Sequence, residues 1–211
     1  MMKLELEKTY KHLYKPSAKK ISLVEVPKLN FLMIDGEIEK GFKPGDSPGF
    51  QERTAALYSF AYTLKFNSKK DPIKPIDYKV MPLEGLWTIT GGEFDITKPD
   101  NWAYTLMIMQ PDHIDEEAMQ TAYQKMLKKK GPSEVLQNVR LESFEEGCSV
   151  QTLHIGPYIN EPATIEKMKA FAAEQGYVQN GHHHEIYLGD PRRAEAEKLK
   201  TILRLPLKKQ Q

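Results

Sequence analysis

The sequence predicts an α+β fold made of duplicated strand-helix-strand-strand units, with antiparallel sheets and a ligand cleft between the two halves. Three observations support this. The order strand, helix, strand, strand reads twice, at about residues 27–110 and again at about 148–207. The strand runs are short, rich in aromatic and branched residues, and bounded by glycine, proline and aspartate. Residue identity between the copies is low, so the repeat is one of pattern. Two such units can join sheets edge to edge or face each other, and junctions of this kind are favoured ligand positions.

Taken in order, residues 1–20 are lysine-rich with few aliphatic side chains and are expected to form an N-terminal arm, with 21–207 forming a single domain of two repeats. Two strand runs lie between Ile21 and Glu39. Ser47-Pro48 reads as an N-cap with proline at the first helical position, opening a helix to about Phe66 with Ala56, Phe60 and Leu64 on one stripe. Asp71-Pro72-Ile73-Lys74-Pro75 breaks it. Tyr78 to Thr90 and Trp102 to Gln110 read as strands, with Gly91-Gly92 and Pro99-Asp100 as turn material between them. A helix follows from about Asp115 to Lys130, ended by Lys128-Lys129-Lys130-Gly131-Pro132. In the second copy Ser149 to Tyr158 reads as a strand, and Asn160 as an N-cap. Ile165, Met168 and Ala172 mark a helix that stops at Gly176, and His182 to Leu188 and Leu199 to Leu207 complete the copy.

Composition bounds the function. The 211 residues suffice for a sizeable core, and 40% hydrophobic with 28% charged residues is ordinary for a globular protein. Thirty basic residues against 29 acidic ones leave a net charge of +1, so no electrostatic footprint points to nucleic acid or anionic lipid. The single Cys148 excludes an intrachain disulfide and suits a reducing compartment, and its neighbours Glu145 and Glu146 argue against a reactive thiol. No run of about 18 apolar residues and no signal-peptide apolar region is present, so a cytoplasmic protein without a membrane partner is expected. A monomer or weak homodimer is expected.

The chemistry concentrates in His182-His183-His184-Glu185-Ile186-Tyr187-Leu188. Strand alternation sends His183, Glu185 and Tyr187 to one face, and His184, Ile186 and Leu188 to the other, which is expected to meet the core. The first face then carries a carboxylate flanked by an imidazole and a phenol. Glu84, before Gly85-Leu86-Trp87, holds a comparable place in the first copy. Aromatic residues recur around these segments: Tyr58 and Tyr62 on one helix face, Trp87, Trp102, Tyr104, Tyr158 and Tyr187. They are core residues or walls of a ligand site, and buried Tyr and Trp need hydrogen-bond partners in either case. A carboxylate among such rings can bind a cation or serve as a general base. His182 and His184 share a side as some zinc ligands do, but no third-ligand motif supports them and no metal is expected. His154 is a further candidate polar group. No G-x-G-x-x-G, P-loop or G-x-S-x-G motif occurs, and no cofactor is expected.

His154-Ile155-Gly156-Pro157-Tyr158, a helix, then His184-Glu185-Ile186-Tyr187-Leu188-Gly189-Asp190-Pro191-Arg192-Arg193 and Leu199-Lys200-Thr201-Ile202-Leu203-Arg204-Leu205-Pro206 resemble the C-terminal half of GyrI-like small-molecule-binding proteins. The first half, through Leu83-Glu84-Gly85-Leu86-Trp87 and Trp102-Ala103-Tyr104-Thr105-Leu106-Met107-Ile108-Met109-Gln110-Pro111-Asp112, resembles the stand-alone, cyclopropanoid cyclohydrolase-like branch of that family. The resemblance spans roughly residues 20–207. It implies the duplicated fold with its cleft. Relatives include drug-binding domains of bacterial transcription activators, which take bulky, often cationic aromatic compounds on an acidic residue; the matching position here is Glu185. No helix-turn-helix pattern precedes residue 20. Stand-alone members include hydrolases that open the cyclopropane of DNA-alkylating natural products, a detoxification activity. The resemblance thus leads to an expected hydrolase with Glu185 and Tyr187 as catalytic residues. Tyr58, Tyr62, Glu84, Trp87, Trp102, Tyr104, His154, Tyr158 and His183 are expected around an aromatic ligand. The alternative is a non-catalytic protein that sequesters aromatic or cationic drugs. A role as inhibitor of another protein rests on the family name alone.

Overall fold

The structure, a computed structural model, describes residues 1–91 and 99–210, with Lys130 described by its backbone alone. Numbered along the chain, the first elements are β1 (Met2–Leu4), α1 (Leu6–Thr9), α2 (Lys11–Tyr14), β2 (Ser22–Val26), β3 (Leu29–Glu37), α3 (Pro48–Lys69), β4 (Ile76–Tyr78), β5 (Leu83–Ile89) and β6 (Trp102–Gln110). There follow α4 (Glu116–Lys130), α5 (Glu134–Gln137), β7 (Arg140–Phe144), β8 (Gly147–Ile155), α6 (Glu161–Glu174), β9 (Tyr177–Gln179), β10 (His183–Tyr187) and β11 (Lys200–Lys209). The class is α+β with antiparallel pairing throughout except β1 with β4, which is parallel. No helix of the described residues is long and apolar enough to cross a membrane.

The chain divides into two compact units. The first comprises Met1–Thr9, Leu29–Met81 and Ile89–Phe144. Its β3 lies between β6 and β7, with Leu32 opposite both Ile108 and Leu141. Leu32, Leu106, Met107 and Ile108 are fully buried, so these strands read as near-continuous apolar runs. Helix α3 starts where the sequence placed it. The Ser47 hydroxyl accepts from the Phe50 amide at 3.3 Å and Pro48 opens the first turn. Ala56, Leu57, Phe60, Ala61 and Leu64 form its buried face. The Phe60 ring stacks on Tyr123 of α4 with centroids 6.4 Å apart. Asp115 caps α4, and Gly131 ends it at φ +81°, a conformation that favours glycine.

The second unit comprises Tyr10–Lys28, Pro82–Thr88 and Glu145–Gln211. Its strands run β2, β8, β11, β10, β5 in order, each antiparallel to the next, with β9 on the far end of β11. Helix α6 lays Met168 and Ala172 on one sheet face against Val150, Leu203, Leu205 and Leu207. Asn160 precedes α6 as expected but lies in the αR region and makes no side-chain cap.

Three features differ from the sequence expectation. Residues 1–20 contribute a strand and two short helices, with Leu13 and Tyr14 buried. The Tyr78–Thr90 run splits into β4 and β5, since Pro82 between them offers no amide hydrogen. Residues 82–88, counted in the first repeat, pair through β5 with β10 in the second unit. Gly92, half of the expected Gly91-Gly92 turn, lies outside the described residues.

The sheet face away from α6 buries a charge network. Both imidazole nitrogens of His184 face carboxylate oxygens, Nε2 on Glu84 and Nδ1 on Glu146, each at 3.0 Å. A carboxylate only accepts, so both nitrogens carry hydrogen and the ring is an imidazolium. Arg204 donates to Glu146 at 3.1 Å, to Gln151 at 3.1 Å and to the Leu13 carbonyl at 3.0 Å. Tyr14 donates to the second oxygen of Glu84 at 2.7 Å. Two cations and two anions therefore balance in a region where the four side chains are 0–2% exposed. Burial would depress the His184 pKa, but the Glu146 charge and the bonds from Glu146 and Glu84 outweigh it and carry it to about 9. Burial works against the Glu146 carboxylate as well, and His184 and Arg204 still bring it down to about 2.

Linkage gives each shift a sign. The raised His184 pKa supplies stability that is complete below 6.5 and lost as pH rises through about 9. The lowered Glu146 pKa supplies stability complete above 4.5 and lost as pH falls through about 2. The His184 contribution is expected to add a decline in melting temperature from pH 6.5 to 9. Glu146→Gln is expected to destabilise by about 3–5 kcal/mol and to flatten the alkaline decline. A wild-type melting temperature constant from pH 6.5 to 9 contradicts the assignment.

Candidate active site

The opposite face of the same strand presents the candidate site. Along β10 burial alternates: His184 and Ile186 are fully buried, while His183, Glu185 and Tyr187 are partly open. The alternation read from sequence holds for these five residues. Leu188, beyond the strand end, is 38% exposed instead of facing the core.

Strand pairing fixes what stands beside Glu185. On β5 its partner is Gly85, and His183 pairs with Trp87. On β11 its partner is Leu203, and Tyr187 pairs with Thr201. A Cβ on Gly85 would stand 3.0 Å from Trp87 Nε1 and 3.2 Å from the Tyr187 oxygen. Glycine at 85 thus leaves room for the bond between them, in which the Trp87 indole N–H donates to the Tyr187 oxygen at 2.8 Å. Tyr187 hydrogen-bonds Glu185 in turn. His183 Nε2 lies 3.0 Å from Glu185 Oε1, and since the carboxylate only accepts, Nε2 carries the hydrogen. The Tyr158 ring meets Tyr187 edge-on, centroids 6.1 Å apart. Burial first, then the Glu185 charge, pushes the Tyr158 phenol up to about 12 and Tyr187 well above its usual value. Both phenols are therefore neutral donors near pH 7.

One residue completes the group that sequence reading missed. Glu161, the first residue of α6, is 3% exposed and lies in hydrogen-bonding reach of Glu185 and Thr201. Its Oε1 has no hydrogen-bond partner among the described residues. Burial and the neighbouring Glu185 charge hold its carboxyl protonated well above the usual carboxylate range. In the sequence Glu161 is only an acidic residue in the first turn of a helix, a common occurrence. Its partner is 24 positions away on a strand, so no local spacing reveals the pair.

The remaining expected residues sort by position. His154, on β8 opposite Thr201, bonds Thr164 of α6 through Nδ1 at 2.9 Å. Glu84 belongs to the buried network on the other sheet face, fully enclosed and bonded to His184 and Tyr14, and it does not join Glu185. This corrects its expected place in a ligand site: one step along β5 from Gly85 reverses the face. Tyr58, Tyr62, Trp102 and Tyr104 belong to the first unit. Tyr58 and Tyr62 stack on α3 with centroids 6.3 Å apart, and Tyr62 is exposed. Tyr104 is a core ring, 2% exposed and edge-on to Phe50 at 5.1 Å. Trp102 is half-buried on β6.

The histidine pair that resembled zinc ligands does not form, since His184 is spent in the buried network and His182 is exposed. Glu161, His183 and Glu185 each bring one polar atom within 4.8 Å of the others. Those atoms are bridged by hydrogen instead, His183 to Glu185 and the protonated Glu161 beside them, and we assign no metal ligands. The arrangement offers a carboxylate fed by hydrogen donors beside aromatic rings, which is suited to accepting a proton or facing a positive charge.

The sequence and fold place this chain among known proteins. The model of the GyrI-like small molecule binding domain matches residues 19–208. A conserved protein from Listeria innocua is 38% identical, with 97% of this chain and all of that one aligned and a TM-score of 0.87. A protein from Listeria innocua described as a hydrolase is 36% identical over 98% of this chain and all of its own length, TM-score 0.85. The C-terminal domain of EcmrR shares the fold at 10% identity, TM-score 0.53, over 90% of this chain and 98% of its own. No curated protein matches the chain significantly. By the span of the family match, the chain belongs to the GyrI-like small molecule binding domain family.

Proposed function

We propose that this protein binds bulky aromatic small molecules against the His183–Glu185–Tyr187 face and hydrolyses cyclopropane-bearing, DNA-alkylating natural products in the cytoplasm. The observation that carries the reading is Glu185 itself. It is a carboxylate 13% exposed, without a lysine or arginine partner among the described residues, and supplied with hydrogen by His183 and Tyr187. Such a group is ready to take a proton from water in a site where few waters compete. The hydrolase description of Listeria proteins 35–36% identical to this chain supports catalysis over binding alone.

The reaction suits these groups. A cyclopropane fused to a conjugated dienone is electrophilic, and opening it makes the ring aromatic. Water forms a C–O bond to the methylene carbon while one cyclopropane C–C bond breaks. Its electron pair moves through the ring to the dienone oxygen. Glu185 receives the proton of the attacking water, which releases the Tyr187 hydroxyl from Glu185, and that neutral phenol then donates to the oxygen that gains charge. Trp87 and Tyr158 supply flat walls that hold the ring system in line.

Incubation with a cyclopropane-bearing alkylator, followed by mass spectrometry, is expected to show ring-opened product beyond one equivalent of protein. Glu185→Gln is expected to reduce kcat by about 10²–10⁴-fold, and Tyr187→Phe by about 10²–10³-fold. Stoichiometric binding without turnover makes the protein a sequestering one and overturns the hydrolase reading. A second prediction concerns Trp87→Phe, which keeps an aromatic wall and deletes the indole N–H. It is expected to lower kcat through a misplaced Tyr187, with KM changed less than kcat. An unchanged kcat contradicts a role for the Trp87–Tyr187 bond.

A further inference from the structure

We propose that Glu161 is a positioning acid: it keeps a proton and presents it to Glu185, which thereby stays ionised inside the protein. The proposal rests on the reading of Glu185 as the base of the site. It adds a residue and a proton that neither strand alternation nor the family match specifies.

Glu161 and Glu185 offer oxygens within 4.8 Å of each other, and both side chains are largely withdrawn from water. Neither takes a lysine or arginine partner among the described residues. The groups facing them from neighbouring elements are phenols, a hydroxyl, imidazoles and a further acid, with no lysine or arginine among the described ones. Tyr187 and His183 stand on β10, Thr201 on β11, and His154 on β8. Tyr158 precedes α6, and Asp190 follows β10. Two carboxylates in such a place cannot both be charged, so one proton is shared between them.

Hydrogen-bond supply decides which one holds it. Glu185 collects His183 Nε2 and the Tyr187 hydroxyl, both aimed at a charged oxygen. Glu161 has Thr201 alone beside Glu185, its Oε1 is unpartnered, and it is the more deeply buried. The N-terminus of α6 favours charge at Glu161, but one helix end does not replace the donors that Glu185 has. The proton therefore resides on Glu161 and its O–H points at Glu185. Glu185 then carries a localised negative charge with three donors fixing its orientation, which a solitary carboxyl at this depth would not keep.

Infrared spectroscopy of the free protein at pH 7 reads that proton without any substrate. A carboxylic-acid carbonyl band is expected in wild type and in Glu185→Gln, and its loss is expected in Glu161→Gln. No difference between wild type and Glu161→Gln overturns the proposal, as does a band lost in Glu185→Gln but kept in Glu161→Gln. Zinc added to chelator-treated protein is expected to leave the band unchanged; stoichiometric zinc binding that removes it also overturns the proposal. Kinetics supply a second readout. Glu161→Gln, whose amide still donates, is expected to keep the acidic limb of kcat/KM at the wild-type position. Glu161→Ala is expected to move that limb toward neutral by about one pH unit. Identical limbs in both variants reduce Glu161 to packing. If no substrate is turned over at all, the infrared result still decides the proton's location, and only the hydrolase reading falls.

Discussion

The imidazolium of His184, held between Glu84 and Glu146, is the constraint on which the site depends. It ties β10 to β5 on one side, while Arg204 of β11 shares Glu146 on the other. Four charges cancel in a region closed to water, where a missing partner would leave an unpaired ion at a cost of several kcal/mol. A strand locked in this way cannot slip its register by one residue without burying Glu185 and exposing His184. The depth and direction of Glu185 thus follow from contacts made on the far face of the sheet.

Two carboxylates on neighbouring strands show two solutions to burial. Glu84 is neutralised by an adjacent cation and is spent structurally. Glu185 instead meets hydrogen donors from His183 and Tyr187 and has the protonated Glu161 beside it, with no lysine or arginine partner among the described residues. A carboxylate paired with a fixed cation is a poor base and a poor counter-ion for a ligand. A carboxylate held only by donors keeps its charge for whatever enters. This difference separates Glu84 from the proposed base Glu185, although both sit mid-strand among apolar residues.

Much of this was legible in the sequence because it depends on period. Alternation along His183 to Tyr187 separated His184 from Glu185, and the Ser47-Pro48 and Asp115 caps located α3 and α4. What escaped depends on contacts across the fold. The Glu161–Glu185 pair and the Tyr14–Glu84 bond join residues 24 and 70 positions apart on different elements, which no spacing rule detects. Tyr104 looked like a ligand wall and is a core ring, because Gly36 opposite it leaves the space that the ring fills. The short strands β7 and β9 exist through pairing with longer strands, β1 pairs with the equally short β4, and none of them has a strong pattern of its own.

Family membership and fold mark the chain as a small-molecule-binding domain. The most direct measurement is a crystal structure of the Glu185→Gln variant with an uncleaved cyclopropane-bearing ligand. The account predicts the methylene carbon over residue 185 with the ring system against Trp87 or Tyr158. A ligand seated elsewhere, such as on the exposed Tyr62 of α3, would contradict it.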